Sequence, residues 1–161
     1  MKRRKFLAQA WPAALAAAPP VFGALRAGRP ARSRSERMSP RTEDVKRAML
    51  AMQRDAWEQG TAAQALLEMG ETEEVILMAK EAAVRQTPDG RLAVLSCFGG
   101  VTDPAANGEA MLFAARKTGD PRLFQAAEKM LSYLLERAPR RADGTLYHVS
   151  DKKQVWIDSL Y

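Results

Sequence analysis

One cysteine and one histidine are all that 161 residues contain of those two types. With Cys97 alone, no internal disulfide can form. A zinc site built from Cys and His needs three or four ligands, so that class is excluded too, and neither a metal nor any other cofactor is implied. No uninterrupted apolar run reaches the ~18 residues of an ordinary transmembrane helix. A basic nucleic-acid-binding face is also missing, although the net charge is +6. Residues 1–37 hold nine basic side chains and one acid, which leaves 16 of the 25 basic and 18 of the 19 acidic groups beyond them. The remainder is slightly acidic, whereas nucleic-acid recognition needs a basic patch on the folded part.

The basic excess lies in a leader. Lys2-Arg3-Arg4-Lys5 precedes an apolar, alanine-rich stretch from Phe6 to Leu25, the layout of a secretion signal over residues 1–27. Arg3-Arg4-Lys5-Phe6-Leu7 is similar to a twin-arginine signal, with Lys2 where a hydroxyl residue is common. The expected location is periplasmic or extracellular, with the twin-arginine translocon as the leader's partner; a true start at Met38 would instead leave the protein cytoplasmic. Residues 28–41, polar and rich in Arg, Ser and Pro, read as a flexible linker.

From Thr42 onward apolar residues recur at helical spacing. Thr42, followed by Glu43 and Asp44, suits a helix start. Val45, Met49, Met52, Ala56, Ala63, Leu66 and Leu67 then predict one long helix ending at Gly70. Thr72 is the expected cap of a second helix, with Val75, Ile76, Ala79 and Ala83 inward, and Pro88-Asp89-Gly90 is a turn signal. A loop to Asp103 leads to a third helix from about Ala106 to Lys117, stopped by Gly119. Asp120-Pro121 opens a fourth, with an apolar stripe of Phe124, Ala127, Met130, Leu131, Leu134 and Leu135. A fifth is expected from about Val155. Gly70 and Gly119 stand 49 residues apart at equivalent points. Each unit is a helical hairpin, and a hairpin that cannot bury both faces must stack on a neighbour. The expected class is all-α, with residues 42–161 as hairpin repeats.

Three segments in order carry a family resemblance: Trp57-Glu58-Gln59-Gly60; Thr102-Asp103-Pro104 with Asn107-Gly108; and Tyr147-His148 followed by Trp156-Ile157-Asp158. Together they resemble the unsaturated uronyl hydrolases of glycoside hydrolase families 88 and 105, with the Trp-x-Asp run closer to family 105. The resemblance implies an (α/α)6 barrel, of which two and a half hairpins fall within the chain, and so a truncated domain that is inactive and loosely packed alone. It also implies an oligosaccharide substrate that ends in a 4,5-unsaturated uronic acid. Catalysis would protonate C4 of the vinyl ether and add water at C5, so that the hemiketal collapses and releases the next sugar.

A carboxyl that gives a proton and then takes one from water suits both steps. The resemblance makes Asp158 the acid/base and Asp103 its partner, with Trp57, His148 and Trp156 as substrate-binding residues. Asp103 and Asp158, 55 residues apart, stand at the expected starts of alternate helices, whose N-termini open on one end of a ring of hairpins. Two other classes stay open: another six-hairpin glycosidase with an acid and a base, and a non-catalytic helical-repeat binding protein in which both aspartates are caps.

Overall fold

The long helix expected over 42–69 is two helices. In the computed structural model, which describes residues 39–96 and 99–157, α1 spans Pro40–Met52 and α2 spans Ala56–Met69. The apolar period crosses the break, but local hydrogen bonding opposes a continuous helix. Asp55 takes an extended conformation (φ −123°, ψ 163°) as N-cap, and the Glu58 carboxylate reaches back to its N–H at 3.1 Å, one arm of a capping box. The Arg54 guanidinium meanwhile donates to Ala51 O and Gln53 O, satisfying carbonyls at the end of α1. α1 buries no residue of its own, and Val45 and Met52, expected inward, are exposed. Met49 packs on the core, and Lys46 reaches Glu71 and Glu74 at 3.1 and 2.9 Å.

Gly70 turns the chain as expected. Its φ of 82° is the left-handed conformation that glycine adopts without strain, and the Glu71 N–H returns to Leu66 O. α3 follows as Thr72–Val84, capped one residue earlier than expected, by Glu71. The α2–α3 hairpin is followed by the Asp89-Gly90 turn and a loop. Where a third α-helix was expected to begin, Asp103–Asn107 form a 3-10 turn, η1, and α4 spans Gly108–Thr118. Gly119 (φ 68°) closes α4, and Asp120 caps α5, Pro121–Ser132, through the Arg122 N–H at 2.9 Å.

The apolar stripe beginning on α5 is as expected in part: Met130 is buried and Ala127 and Leu134 pack on the core, but the buried face turns toward Leu123 and Ala126. Leu123, Ala126, Met130 and Tyr133 are buried, whereas Phe124, Leu131 and Leu135 face outward. Both registers fit a helical period, and packing of α5 on α3 and α4 selects the first. The helix continues as a π turn, Tyr133–Arg137, closed by Ala138 N–H to Tyr133 O at 2.8 Å.

The α2–α3 and α4–α5 hairpins stack side by side, with α3 on α4 and α2 on both η1 and α4. Alanines dominate the seam: Ala79, Ala82, Ala114, Ala115 and Ala126 are all buried. Small side chains let helix axes approach closely, which two-layer stacking of hairpins requires. The class is all-α, and the arrangement fits successive hairpins of an (α/α)6 barrel. Among the described residues there are five α-helices and two isolated β-bridges but no strand. None of these helices is long and apolar enough to cross a membrane. The leader, nearly all of the linker, Cys97 and Asp158 lie outside the described residues; Pro40 and Arg41, placed in the linker, already belong to α1.

Candidate active site

The site is built on a glycine. A Cβ on Gly60 would stand 2.5 Å from Ala106 Cβ and 2.6 Å from Ala106 C, so only glycine lets η1 lie against α2. Asn107, buried, fastens the same contact by donating from Nδ2 to Ala56 O at 2.9 Å. These two contacts bring the N-terminal ends of α2 and of η1 with α4 to one end of the hairpin stack, as expected for alternate helices. Asp103 heads η1 there, and Trp57, half exposed, sits in the first turn of α2.

His148 arrives from the other side. After Ala138 the chain makes a short hairpin, bridging Arg140 to Leu146 around a turn in which Gly144 has φ 95°. The returning arm then pairs with the loop before Asp103. Val101 N–H donates to His148 O at 2.9 Å, and Ser150 N–H donates to Gly99 O at 2.8 Å, so that Gly100 and Val149 face each other. This pairing places the imidazole beside η1. His148 Nδ1 lies 3.7 Å from Asp103 Oδ1 and 3.4 Å from Thr102 Oγ1. The side chains of His148 and Asp103 are only 11% and 16% exposed.

The chain beyond His148 doubles back. His148 N–H donates to Gln154 O at 2.8 Å, which folds residues 149–154 into a loop and carries Trp156 over the histidine. The two rings stack, with centroids 4.1 Å apart and planes 8° from parallel. Residues 153–156 are irregular, and most of the stretch in which a fifth helix was expected lies outside the described residues.

The structure thus joins three of the five sequence candidates, Asp103, His148 and Trp156, into one cluster. It leaves Trp57 at the same end of the stack. The sequence reading missed Thr102, whose hydroxyl faces the imidazole; its place just before Asp103 on a loop was the available signal. A carboxylate and a hydroxyl thus stand within 4 Å of one imidazole nitrogen, a grouping whose chemistry can pass protons, and Trp156 is half exposed beside it. Among the described residues, no set of three or more His, Cys, Asp or Glu side chains could hold a metal ion. A cleft of about 340 Å3, lined by Arg54, Gln59, Met78 and Glu81 among others, includes none of the cluster's residues.

The chain is 33% identical over 99 residues to the unsaturated rhamnogalacturonyl hydrolase YesR of Bacillus subtilis (strain 168), an alignment covering 58% of this chain and 27% of that relative. The aligned part is therefore only about a quarter of the relative's length. No solved structure matches. The model of Glycosyl Hydrolase Family 88 matches residues 32–161. That match takes in both hairpins and the whole Asp103–His148–Trp156 cluster, and the chain belongs to this family.

Proposed function

We propose that the protein acts as a glycoside hydrolase on the 4,5-unsaturated uronic acid at the non-reducing end of oligosaccharides made by polysaccharide lyases. Family membership supports the hydrolase class, and the named activity of the Bacillus subtilis relative supports the unsaturated substrate. The observation that carries the reading is the Asp103 carboxylate 3.7 Å from the imidazole of His148, beneath Trp156.

In this reading a carboxylic acid delivers a proton to C4 of the vinyl ether, leaving positive charge shared between C5 and the ring oxygen. Water attacks C5 and gives its proton to the carboxylate, which restores the acid. The hemiketal then opens and the glycosidic bond breaks, freeing the next sugar. Asp158, two residues past Trp156, is the proposed acid/base, and Asp103 is the second carboxyl. The Trp156 wall lowers local polarity, and a neighbouring carboxylate opposes ionisation; both favour a protonated acid. Trp57 and His148 bind the sugar, His148 from the edge that its stacked ring leaves open. The leader directs export by the twin-arginine route and is cleaved; mass spectrometry of the mature N-terminus would test the cleavage, and an intact Met1 in exported protein would defeat it.

The test is turnover of unsaturated disaccharides by the full-length protein, followed by loss of the conjugated uronate's ultraviolet absorbance. Asp158→Asn is expected to abolish it with the fold intact. Wild-type rates in that variant would remove the assigned role. Equal turnover of saturated oligosaccharides would point to an ordinary acid/base glycosidase.

A further inference from the structure

The loop that carries Asp103 is gripped by a side chain that the chemistry does not use. Arg91 is 12% exposed, and its guanidinium makes three contacts at once. Nε donates to both oxygens of Asp89, at 3.2 and 3.0 Å. Nη1 donates to Gly100 O at 2.9 Å. Cζ lies 5.5 Å from the centre of the Tyr133 ring, a cation–π distance.

The backbone of Arg91 is fixed before its side chain is. Its N–H donates to Thr87 Oγ1 at 3.0 Å, and its carbonyl accepts from Thr87 N–H at 2.9 Å. The turn between them is seated on α5, since a Cβ on Gly90 would stand 2.5 Å from Lys129 O. Burial raises the Asp89 carboxyl pKa, but hydrogen bonds from Thr87 and Arg91 outweigh it and hold the group below its ordinary value. Asp89 is therefore a stable anion that fixes the orientation of the fork.

The carbonyl that Arg91 takes is not an arbitrary one. In the pairing of residues 99–101 with 148–150, the inter-arm bonds run from Val101 to His148 and from Ser150 to Gly99. Gly100 and Val149 therefore form a non-hydrogen-bonded pair, whose N–H and C=O groups point outward from the ladder. Arg91 holds Gly100 from that outer side. Two residues further along, Thr102 meets the imidazole, and Asp103 follows it.

We infer that Arg91 is a positioning residue for the Asp103–His148 pair: it ties the pairing of residues 99–101 with 148–150 to the helical core. This rests on the function proposed above only where turnover is concerned. A lysine in its place would keep the charge but lose the planar fork that serves Asp89 and Gly100 together.

His148 is the chain's one histidine, so its ring proton resonances report the pair without ambiguity. In the intact chain, Arg91→Met is expected to shift or broaden the His148 signal, which the stacked Trp156 displaces by ring current. Arg91→Lys should do so to a lesser extent. Val75→Ala, a destabilising change in the core where Val75 packs with Ala63, Leu66 and Ala110, should leave the signal in place. In the full-length protein, Arg91→Lys should lower kcat by roughly ten- to a hundredfold, the scale of a small misplacement of reacting groups, with KM within about threefold. An unmoved His148 signal in Arg91→Met overturns the inference; if that variant does not fold, an unmoved signal in Arg91→Lys overturns it. Wild-type kcat in Arg91→Lys beside an inactive Asp103→Asn also overturns it and leaves the proposed function standing. Full turnover in Asp103→Asn instead removes the carboxyl's proposed role, and the His148 signal alone then decides on Arg91.

Discussion

The imidazole of His148 lies flat on the indole of Trp156, with centroids 4.1 Å apart and planes 8° from parallel, while its Nδ1 edge faces Asp103. One histidine is thus held by an aromatic face and a carboxylate edge together. The stack covers one face of the imidazole, so a ligand seated on Trp156 would be reported at both rings.

Replacing Trp156 removes the stack but leaves Asp103 and Thr102 beside the imidazole. Trp156→Ala is expected to move the His148 ring-proton signals downfield as the indole's shielding is lost. Trp156→Phe should recover part of the shift. Unchanged signals in Trp156→Ala would mean that the two rings do not stack in solution.

Asp103→Asn keeps the shape of the head of η1 and removes the charge. In the full-length protein, turnover of unsaturated disaccharide is expected to fall by about 10²- to 10⁴-fold, the usual scale for a proton-handling group. Circular dichroism should remain that of the wild type. Turnover within a factor of two would reduce Asp103 to a structural residue.

Gly60 faces the Ala106 backbone with no room for a methyl group. Gly60→Ala forces α2 and η1 apart and should cost about 1–3 kcal/mol, as overpacking does. Urea denaturation would measure it. Gly119→Ala strains a left-handed cap (φ 68°) but meets no atom within 4 Å, so it should cost less, about 1 kcal/mol. Equal losses at both positions would contradict the close approach.

How far the fold could be read from the sequence differs from one element to the next. Gly70, Gly119 and Asp120-Pro121 were legible because each meets a backbone need that few residues satisfy. The break at Gln53–Asp55 was not, since the apolar period runs through it and the deciding bonds belong to Arg54 and Glu58. The register of α5 was ambiguous because Leu123 and Phe124 both extend a helical stripe, and only the neighbouring helices choose between them. At the site, the ordered motifs contain Asp103, His148 and Trp156, which the structure brings together. Their meeting depends on a one-residue bridge, Gly100 to Val149, between loops that carry no strand pattern. The contacts of Thr102 with His148 and of Arg91 with Gly100 follow from that pairing, and no local pattern in the sequence signals them.

The link from α1 to α3 gives a pH dependence whose sign can be worked out. Hydrogen bonding to Lys46 lowers the Glu74 carboxyl below its ordinary 4.5. A lowered carboxyl adds stability above its unfolded pKa and loses it as the pH falls through the folded value. Burial lowers the Lys46 ammonium pKa, but bonds to Glu74 and Glu71 outweigh this and raise it above 10.5. That contribution is present below 10.5 and is lost as the pH rises through the raised value. The difference in urea midpoint between wild type and Lys46→Met should therefore be flat between about pH 5 and 10 and shrink outside that window. A difference that grows in acid would refute the link.

Where Gly60 meets Ala106 there is no slack to absorb motion. Any tilt of the first hairpin, from a ligand or from a substitution well away along α2, has to push on η1 and carry the Asp103 carboxylate with it. The contact works as a rigid lever arm, so variants on the remote end of α2 offer a way to tune the acidic group without touching its surroundings.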